Sequence, residues 1–190
     1  LFGLGVSKKK ACVTADIAEA NVEVITAAES IGRFKVISEK DRFDMEYWSL
    51  EQAKLAVGSE KPLARKICLV TGGGSGIGAA IARAFSDQGA EVCVVEKEFK
   101  SAQAVAEPLG ALAIACDVTK PNQIKKAFDQ LCTAFGGVDI VVSNAGAAWQ
   151  GRIGDVSDKV LRKSFELNFW GHQNVAQNAV RVILAQGQGG

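Results

Sequence analysis

The chain has 190 residues, 48% of them apolar and 23% charged, with 22 Lys and Arg against 21 Asp and Glu. So even a balance gives no bulk positive charge for binding nucleic acid or a membrane surface, and the apolar content excludes intrinsic disorder. No apolar run approaches the roughly 20 residues that a membrane helix needs.

Leu1-Phe2-Gly3-Leu4-Gly5 lacks a basic n-region, a long apolar h-region and a cleavage site. It reads as the inside of a longer protein rather than as a signal peptide. Residues 1–62 carry 9 basic and 10 acidic side chains and form the first predicted unit. Ile17, Val24, Ala28 and Ile31 recur at helical spacing, which predicts a helix over roughly 12–32, stopped by Gly32. Ser49-Leu50-Glu51-Gln52 is a capping box, in which the Ser49 hydroxyl takes an orphan backbone N–H and Gln52 reaches back to the cap. It predicts a second helix that ends near Gly58, and Gly58-Ser59-Glu60-Lys61-Pro62 reads as a linker.

From Arg65 the pattern alternates strand and helix. Ile67-Cys68-Leu69-Val70 is a short apolar strand, followed by a helix marked by Ile77, Ile81 and Phe85 that stops at Gln88-Gly89. Val92-Cys93-Val94-Val95 is the second strand, followed by a helix marked by Ala102, Val105, Ala106 and Leu109. Ala113-Ile114-Ala115-Cys116 is the third. Thr119 can cap the next helix, with Pro121 tolerated in its first turn and Ile124, Phe128, Leu131 and Phe135 on its buried face. Val138 to Val142 form the fourth strand, and a long helix runs from about Asp158 to Ala185. The strands are apolar throughout, so both sheet faces should be covered. Such alternation predicts an α/β protein with a doubly wound parallel sheet over residues 63–190.

The five cysteines are odd in number and widely spaced, with no CxxC, and Cys68, Cys93 and Cys116 lie in the apolar runs. They read as buried thiols in a reducing cytosol, which places the protein in the cytoplasm. The only histidine, His172, has no Cys pair to make a usual zinc site, so no metal is expected.

The strongest functional signal is Val70-Thr71-Gly72-Gly73-Gly74-Ser75-Gly76-Ile77-Gly78, between the first strand and its helix. Glycines there allow a tight turn and let backbone N–H groups approach a pyrophosphate, and the helix N-terminus favours the phosphate charge. The second is Glu96, at the end of the second strand and 18 residues after Gly78. An acidic side chain there accepts hydrogen bonds from both adenosine ribose hydroxyls and repels a 2′-phosphate. One unit-charge pair at about 4 Å and a dielectric near 20 is worth about 4 kcal/mol. NAD is therefore preferred over NADP. Ser75, where a base would help hold the extra phosphate, supports NAD, whereas neighbouring Lys97 could screen that phosphate.

Thr71-Gly72-x-x-x-Gly76-x-Gly78 resembles the cofactor loop of the short-chain dehydrogenase/reductase family. Three further segments match in the family's order: Cys116-Asp117-Val118, Ser143-Asn144-Ala145-Gly146, where the family has Asn in place of Ser143, and Leu167-Asn168-Phe169. The resemblance implies a partial Rossmann-type sheet of strand order 3-2-1-4. It implies that Asp117 and Val118 border the adenine, that Asn144 bonds backbone and steadies the sheet, and that Ala145 and Gly146 lie against the cofactor. Asn168 would be a catalytic-type residue helping to hold a proton-relay water. The family's Tyr-x-x-x-Lys pair has no counterpart here. The one tyrosine, Tyr47, has Glu51 four residues on, and the sequence reads as a reductase fragment cut at both ends.

Phe2-Gly3-Leu4-Gly5, Ser7-Lys8-Lys9-Lys10-Ala11 and Phe43-Asp44-Met45-Glu46-Tyr47-Trp48 resemble the junction of bifunctional class II aldolase/short-chain dehydrogenase proteins of the rhamnulose-phosphate aldolase/lactaldehyde dehydrogenase type. Residues 1–62 would then be a remnant of an upstream aldolase-like domain, the alternative being a helical extension. The implied reaction of the parent is hydride transfer between NAD and a small alcohol or carbonyl, sugar-derived substrates among the candidates. The alternative function is a non-catalytic nucleotide-binding or interaction module, as the missing Tyr/Lys pair would have it. An open fourth-strand edge, with Val175, Val180, Ile183 and Leu184 only partly buried on the last helix, predicts a homo-oligomer.

Overall fold

The computed structural model describes residues 2–5, 7–46 and 61–187. The chain divides into two units, residues 1–60 and 61–190. The capping box at Ser49, the helix it predicts and Tyr47 lie outside the described residues.

In the first unit, helix α1 spans Lys8–Ile31. It starts earlier than the apolar spacing predicts because a polar signal sets its start: Ser7 Oγ accepts from Lys10 N at 3.3 Å. Gly32 closes the helix by donating its N–H to Ala28 O. The spacing of Ile17, Val24 and Ile31 is helical, yet all three are exposed, and α1 buries none of its residues. A second helix, α2 (Glu39–Glu46), has no counterpart among the sequence expectations. Its residues are mostly polar, so no apolar period marks it. Its signal is Ser38, whose hydroxyl accepts from Asp41 N and donates to Asp41 Oδ2.

The second unit holds a four-stranded parallel sheet of order β3-β2-β1-β4, built from β1 (Ile67–Thr71), β2 (Glu91–Glu96), β3 (Leu112–Ala115) and β4 (Ile140–Ser143). This is the doubly wound arrangement that the alternation of strand and helix predicts. Leu69 pairs with Cys93 on one side and with Val141 on the other, so β1 is central and its last residue, Thr71, lies beside Val95 and Ser143. Between the strands run α3 (Gly76–Asp87), α4 (Phe99–Ala106) and α5 (Pro121–Phe135), and after β4 come α6 (Asp158–Phe165) and α7 (His172–Gln186).

Side chains alternate between two cores, as strand geometry requires. On one face Val92 and Val94 pack with Ala79 and Ala82 of α3 and with Ala102, Val105 and Ala106 of α4. On the other, Leu69, Cys93, Val95 and Ile114 meet Ile124, Ala127, Phe128 and Leu131 of α5, and Val175, Ala179 and Val182 of α7. The i, i+3, i+4, i+7 set of α5 is the face that the sequence pattern marks. Cys68, Cys93 and Cys116 are buried, and burial pushes their thiols up to about 11, about 12 and about 11.

Four sequence expectations need correction. Val175 is fully buried rather than partly so, because α7 lies flat on the sheet at that turn; Val180 and Leu184 are exposed. The predicted long helix is interrupted by a π-helical turn, Glu166–Gly171, between α6 and α7. Thr119 does not cap α5. The helix starts at Pro121 with Lys120 at the cap position, which leaves Thr119 one residue outside it; the Thr119 hydroxyl donates to Asp117 Oδ1 at 2.8 Å. Finally, β4 begins at Ile140 rather than Val138. The Val138 N–H donates to Gln186 Oε1 at 2.7 Å, and Gln186 Nε2 donates back to Val138 O at 3.1 Å.

Candidate functional site

The C-terminal ends of the four strands meet in a cleft of about 490 Å³, lined by Gly72, Ser75, Gly76, Ile77, Glu96, Lys97, Cys116, Asp117, Val118, Asn144, Ala145, Gly146 and Leu167. Its floor is fixed by Thr71, which is 2% exposed. The Thr71 hydroxyl accepts from Asn144 N at 3.0 Å and Ala145 N at 3.1 Å, and lies 3.4 Å from Val142 O. In return Asn144 Nδ2 donates to Thr71 O at 3.1 Å and Gly72 O at 3.2 Å. The ends of β1 and β4 are thus cross-tied by side chains where the sheet ladder stops.

The loop and the helix that follows it need glycine at two positions for different reasons. Gly72 has φ +64° and faces Ala145 so closely that a Cβ would lie 2.8 Å from the Ala145 Cα. At Gly78 a Cβ would collide with the Gly72 carbonyl, so glycine lets α3 close on the loop it follows. The loop is pinned to β2 by Gly73 N donating to Val95 O at 3.2 Å and Gly74 N donating to Glu96 Oε2 at 3.3 Å. Ser75 occupies the cap position of α3, but its side chain makes no capping bond. The first turn of α3, beside the cleft, therefore keeps its N–H groups free of a bond from the cap side chain. That is the donor set of an anion site. Ile77, 74% exposed, puts an apolar side chain at the rim.

The far wall is charged. Glu96 Oε1 accepts from Lys97 N at 2.7 Å. Lys97 Nζ stands 3.1 Å from Asp117 Oδ2, and Asp117 Oδ1 accepts from Thr119 N at 3.0 Å and from the Thr119 hydroxyl. Partial burial pushes the Asp117 carboxyl up. Bonds from the Thr119 hydroxyl and N–H and from the Lys97 ammonium more than offset this and hold it below the ordinary carboxylate range. Asp117 N donates to Gln123 Oε1 at 2.8 Å, which anchors the strand end to α5.

The structure thus gathers Gly72, Ser75, Gly76, Ile77, Glu96, Asp117, Val118, Asn144, Ala145 and Gly146 around one cleft. Thr71, Gly74 and Gly78 support its walls from behind. Asn168 does not line it. Asn168 Oδ1 accepts from Ala147 N at 3.1 Å, and Nδ2 donates to Ala147 O at 2.8 Å and to Ser164 Oγ at 3.2 Å, which ties the π-helical turn to the segment after β4. Thr119, Gln123 and Leu167 join the site without having been expected there: the sequence marks Thr119 as a helix cap and does not mark Gln123 at all. Leu167 has a site signal in the sequence only as the neighbour of Asn168. Ser143 has its own partner: its Oγ lies 2.6 Å from His172 Nδ1. Among the described residues no group of three or more His, Cys, Asp and Glu side chains could hold a metal ion.

A glycine loop between a central strand and a helix, an acid closing the neighbouring strand, and a cleft across the strand ends define an α/β dinucleotide-type site. The model of the short chain dehydrogenase family matches residues 66–190, and the chain belongs to that family. Residues 1–55 match the model for the second domain of class II aldolases. The chain is 33% identical over 177 residues to the uncharacterized oxidoreductase YuxG of Bacillus subtilis, covering 89% of this chain and 26% of that protein. It is 33% identical over 126 residues to an NAD-dependent glycerol dehydrogenase of Listeria innocua, covering 65% of this chain and 50% of that protein. A crystal structure of a short-chain type dehydrogenase/reductase from Mycobacterium marinum superposes with a TM-score of 0.66 at 35% identity, covering 67% of this chain and 54% of that one. The chain thus spans about a quarter to a half of these relatives.

Proposed function

We propose that residues 63–190 are the NAD-binding part of a short-chain dehydrogenase whose parent protein transfers hydride between NAD and a small alcohol or carbonyl, with sugar-derived compounds as the class to try first. The observation that carries the cofactor reading is Glu96, which lines the cleft while its carboxylate reaches the glycine loop through Gly74 N. The residues fit the cofactor: the loop amides and the uncapped turn of α3 suit a pyrophosphate, and Glu96 suits two ribose hydroxyls. NAD, when bound, supplies the hydride acceptor. The chain's own residues bind and orient. Thr71 and Asn144 keep the Asn144–Gly146 wall against the loop, and Asp117 with Val118 bounds the adenine side. Asn168 holds Ala147, and its Oδ1 keeps one lone pair free to accept from a water.

The sugar-derived class rests on the aldolase-type match of residues 1–55, which also supports reading residues 1–62 as part of an aldolase-like domain. The same reading places the protein in the cytoplasm as a homo-oligomer without nucleic-acid or membrane partners; among the described residues no helix is long and apolar enough to cross a membrane. A second reading, a nucleotide-binding module without turnover, is favoured for the 190-residue chain by Glu51 standing where a tyrosine-lysine pair would put lysine.

Titration of both dinucleotides against the wild type and Glu96→Ala tests the cofactor assignment. Glu96→Ala removes ribose acceptors and a repulsive charge together, so NAD should weaken more than NADP. An unchanged NAD/NADP ratio removes Glu96 from the site.

A further inference from the structure

Lys97 is the residue that should undermine NAD preference, since it follows Glu96 directly and lines the same cleft. Its main-chain N–H donates to the Glu96 carboxylate at 2.7 Å, so the lysine stem starts beside the group that reads the ribose. An ammonium on that flexible stem is a ready partner for a 2′-phosphate. The structure shows it engaged elsewhere, 3.1 Å from Asp117 Oδ2 across the cleft wall. The two partners are unequally held. The Lys97 side chain is 66% exposed and the Asp117 side chain 18%, and Asp117 Oδ1 is fixed by two bonds from Thr119. Asp117 is therefore the fixed anchor and Lys97 the movable arm.

We infer that Asp117 is a positioning residue for cofactor choice: by holding the Lys97 ammonium in an ion pair, it withholds that cation from a 2′-phosphate and so reinforces selection of NAD. The inference rests on the NAD reading of the cleft. It adds a determinant that acts through a neighbour, where Glu96 acts by its own charge. An uncharged residue at 117 leaves the arm free to swing toward the ribose, and the NADP preference rises.

The test is a double-mutant cycle on the full 190-residue chain, with NAD and NADP affinities measured by calorimetry for the wild type, Asp117→Asn, Lys97→Ala and the double variant. Asn keeps an Oδ1 for Thr119, and Asp117→Ser gives a second route to the uncharged site should Asn disturb the fold. Lys97→Ala should lower the NADP/NAD affinity ratio about fivefold in the Asp117→Asn background, and by less than about twofold in the wild-type background. Asp117→Glu should keep the wild-type ratio. Equal effects of Lys97→Ala in both backgrounds mean plain additive charge and overturn the inference, as does an Asp117→Asn ratio no higher than wild type. A wild type that binds neither dinucleotide overturns the cofactor reading with it. A wild type that prefers NADP overturns NAD selection alone, and the cycle still judges the ion pair.

Discussion

Replacing Thr71 by valine probes the cross-tie beneath the cleft at nearly constant shape. The hydroxyl accepts from two backbone N–H groups, those of Asn144 and Ala145, and the residue is 2% exposed. Valine leaves both donors without that acceptor. An orphaned buried donor costs about 1–3 kcal/mol. Asn144 and Ala145 are only half-buried, so the lower end applies and the loss should be about 2 kcal/mol. For a chain of this length that lowers the Tm by about 6 °C. Thr71→Ser keeps the oxygen and loses one methyl, worth about 1 kcal/mol. Thermal and urea unfolding of both variants against the wild type reads the difference. Valine should be the worse substitution, and it should also weaken dinucleotide binding, because the Asn144–Gly146 wall loses its tie to the loop. A valine variant as stable as the wild type, or a serine variant less stable than the valine one, refutes the reasoning.

The depressed Asp117 carboxyl contributes stability that is present above its ordinary range near 4 and is lost as pH falls through the folded-state value. Asp117→Asn should flatten that part of the acid limb in a pH-dependent unfolding series; an unaltered limb means Asp117 does not carry it. The 190-residue chain should show no dehydrogenase turnover, because positioned acid–base catalysis typically contributes about 10²–10⁴-fold and the sequence has Glu51, not lysine, four residues after its one tyrosine, Tyr47; steady NADH production by rigorously purified protein from a panel of alcohols would contradict this. The chain should self-associate, given that β4 is an edge strand and that Leu161, Phe165, Phe169 and Trp170 are each half exposed or more. Light scattering at micromolar concentration should show mass rising with concentration, and a constant monomer mass would show that this surface does not recruit a second copy.

The sheet was legible because its strands are short apolar runs and its helices carry apolar faces at helical spacing, as Ile124, Phe128 and Leu131 do on α5. The glycine loop and Glu96 were legible because their chemistry depends on local position, at a strand end and a helix start. The partners of the site were not. Thr71 meets Asn144 from 73 residues away, and Lys97 meets Asp117 across two strand ends, so only the folded sheet makes them neighbours. Thr119 shows the limit of local rules: it is a good cap residue, but the helix begins one residue further on, and its hydroxyl serves Asp117. Helix α2 was missed because a helix of polar residues has no hydrophobic period, and Ser38 was its one visible sign.

The side-chain amide of Gln186 presents to Val138 the donor and acceptor pair that a neighbouring backbone would. Asp139 N donates to Ile67 O on the inner side, so the groups of Val138 point outward from the sheet. The amide therefore works as a dummy residue at the start of the open edge and leaves no vacancy there. A strand added beside β4 must begin its ladder at Ile140. Val138 thus offers an added strand nothing to bond, and one glutamine shortens the open edge by one outward-facing residue.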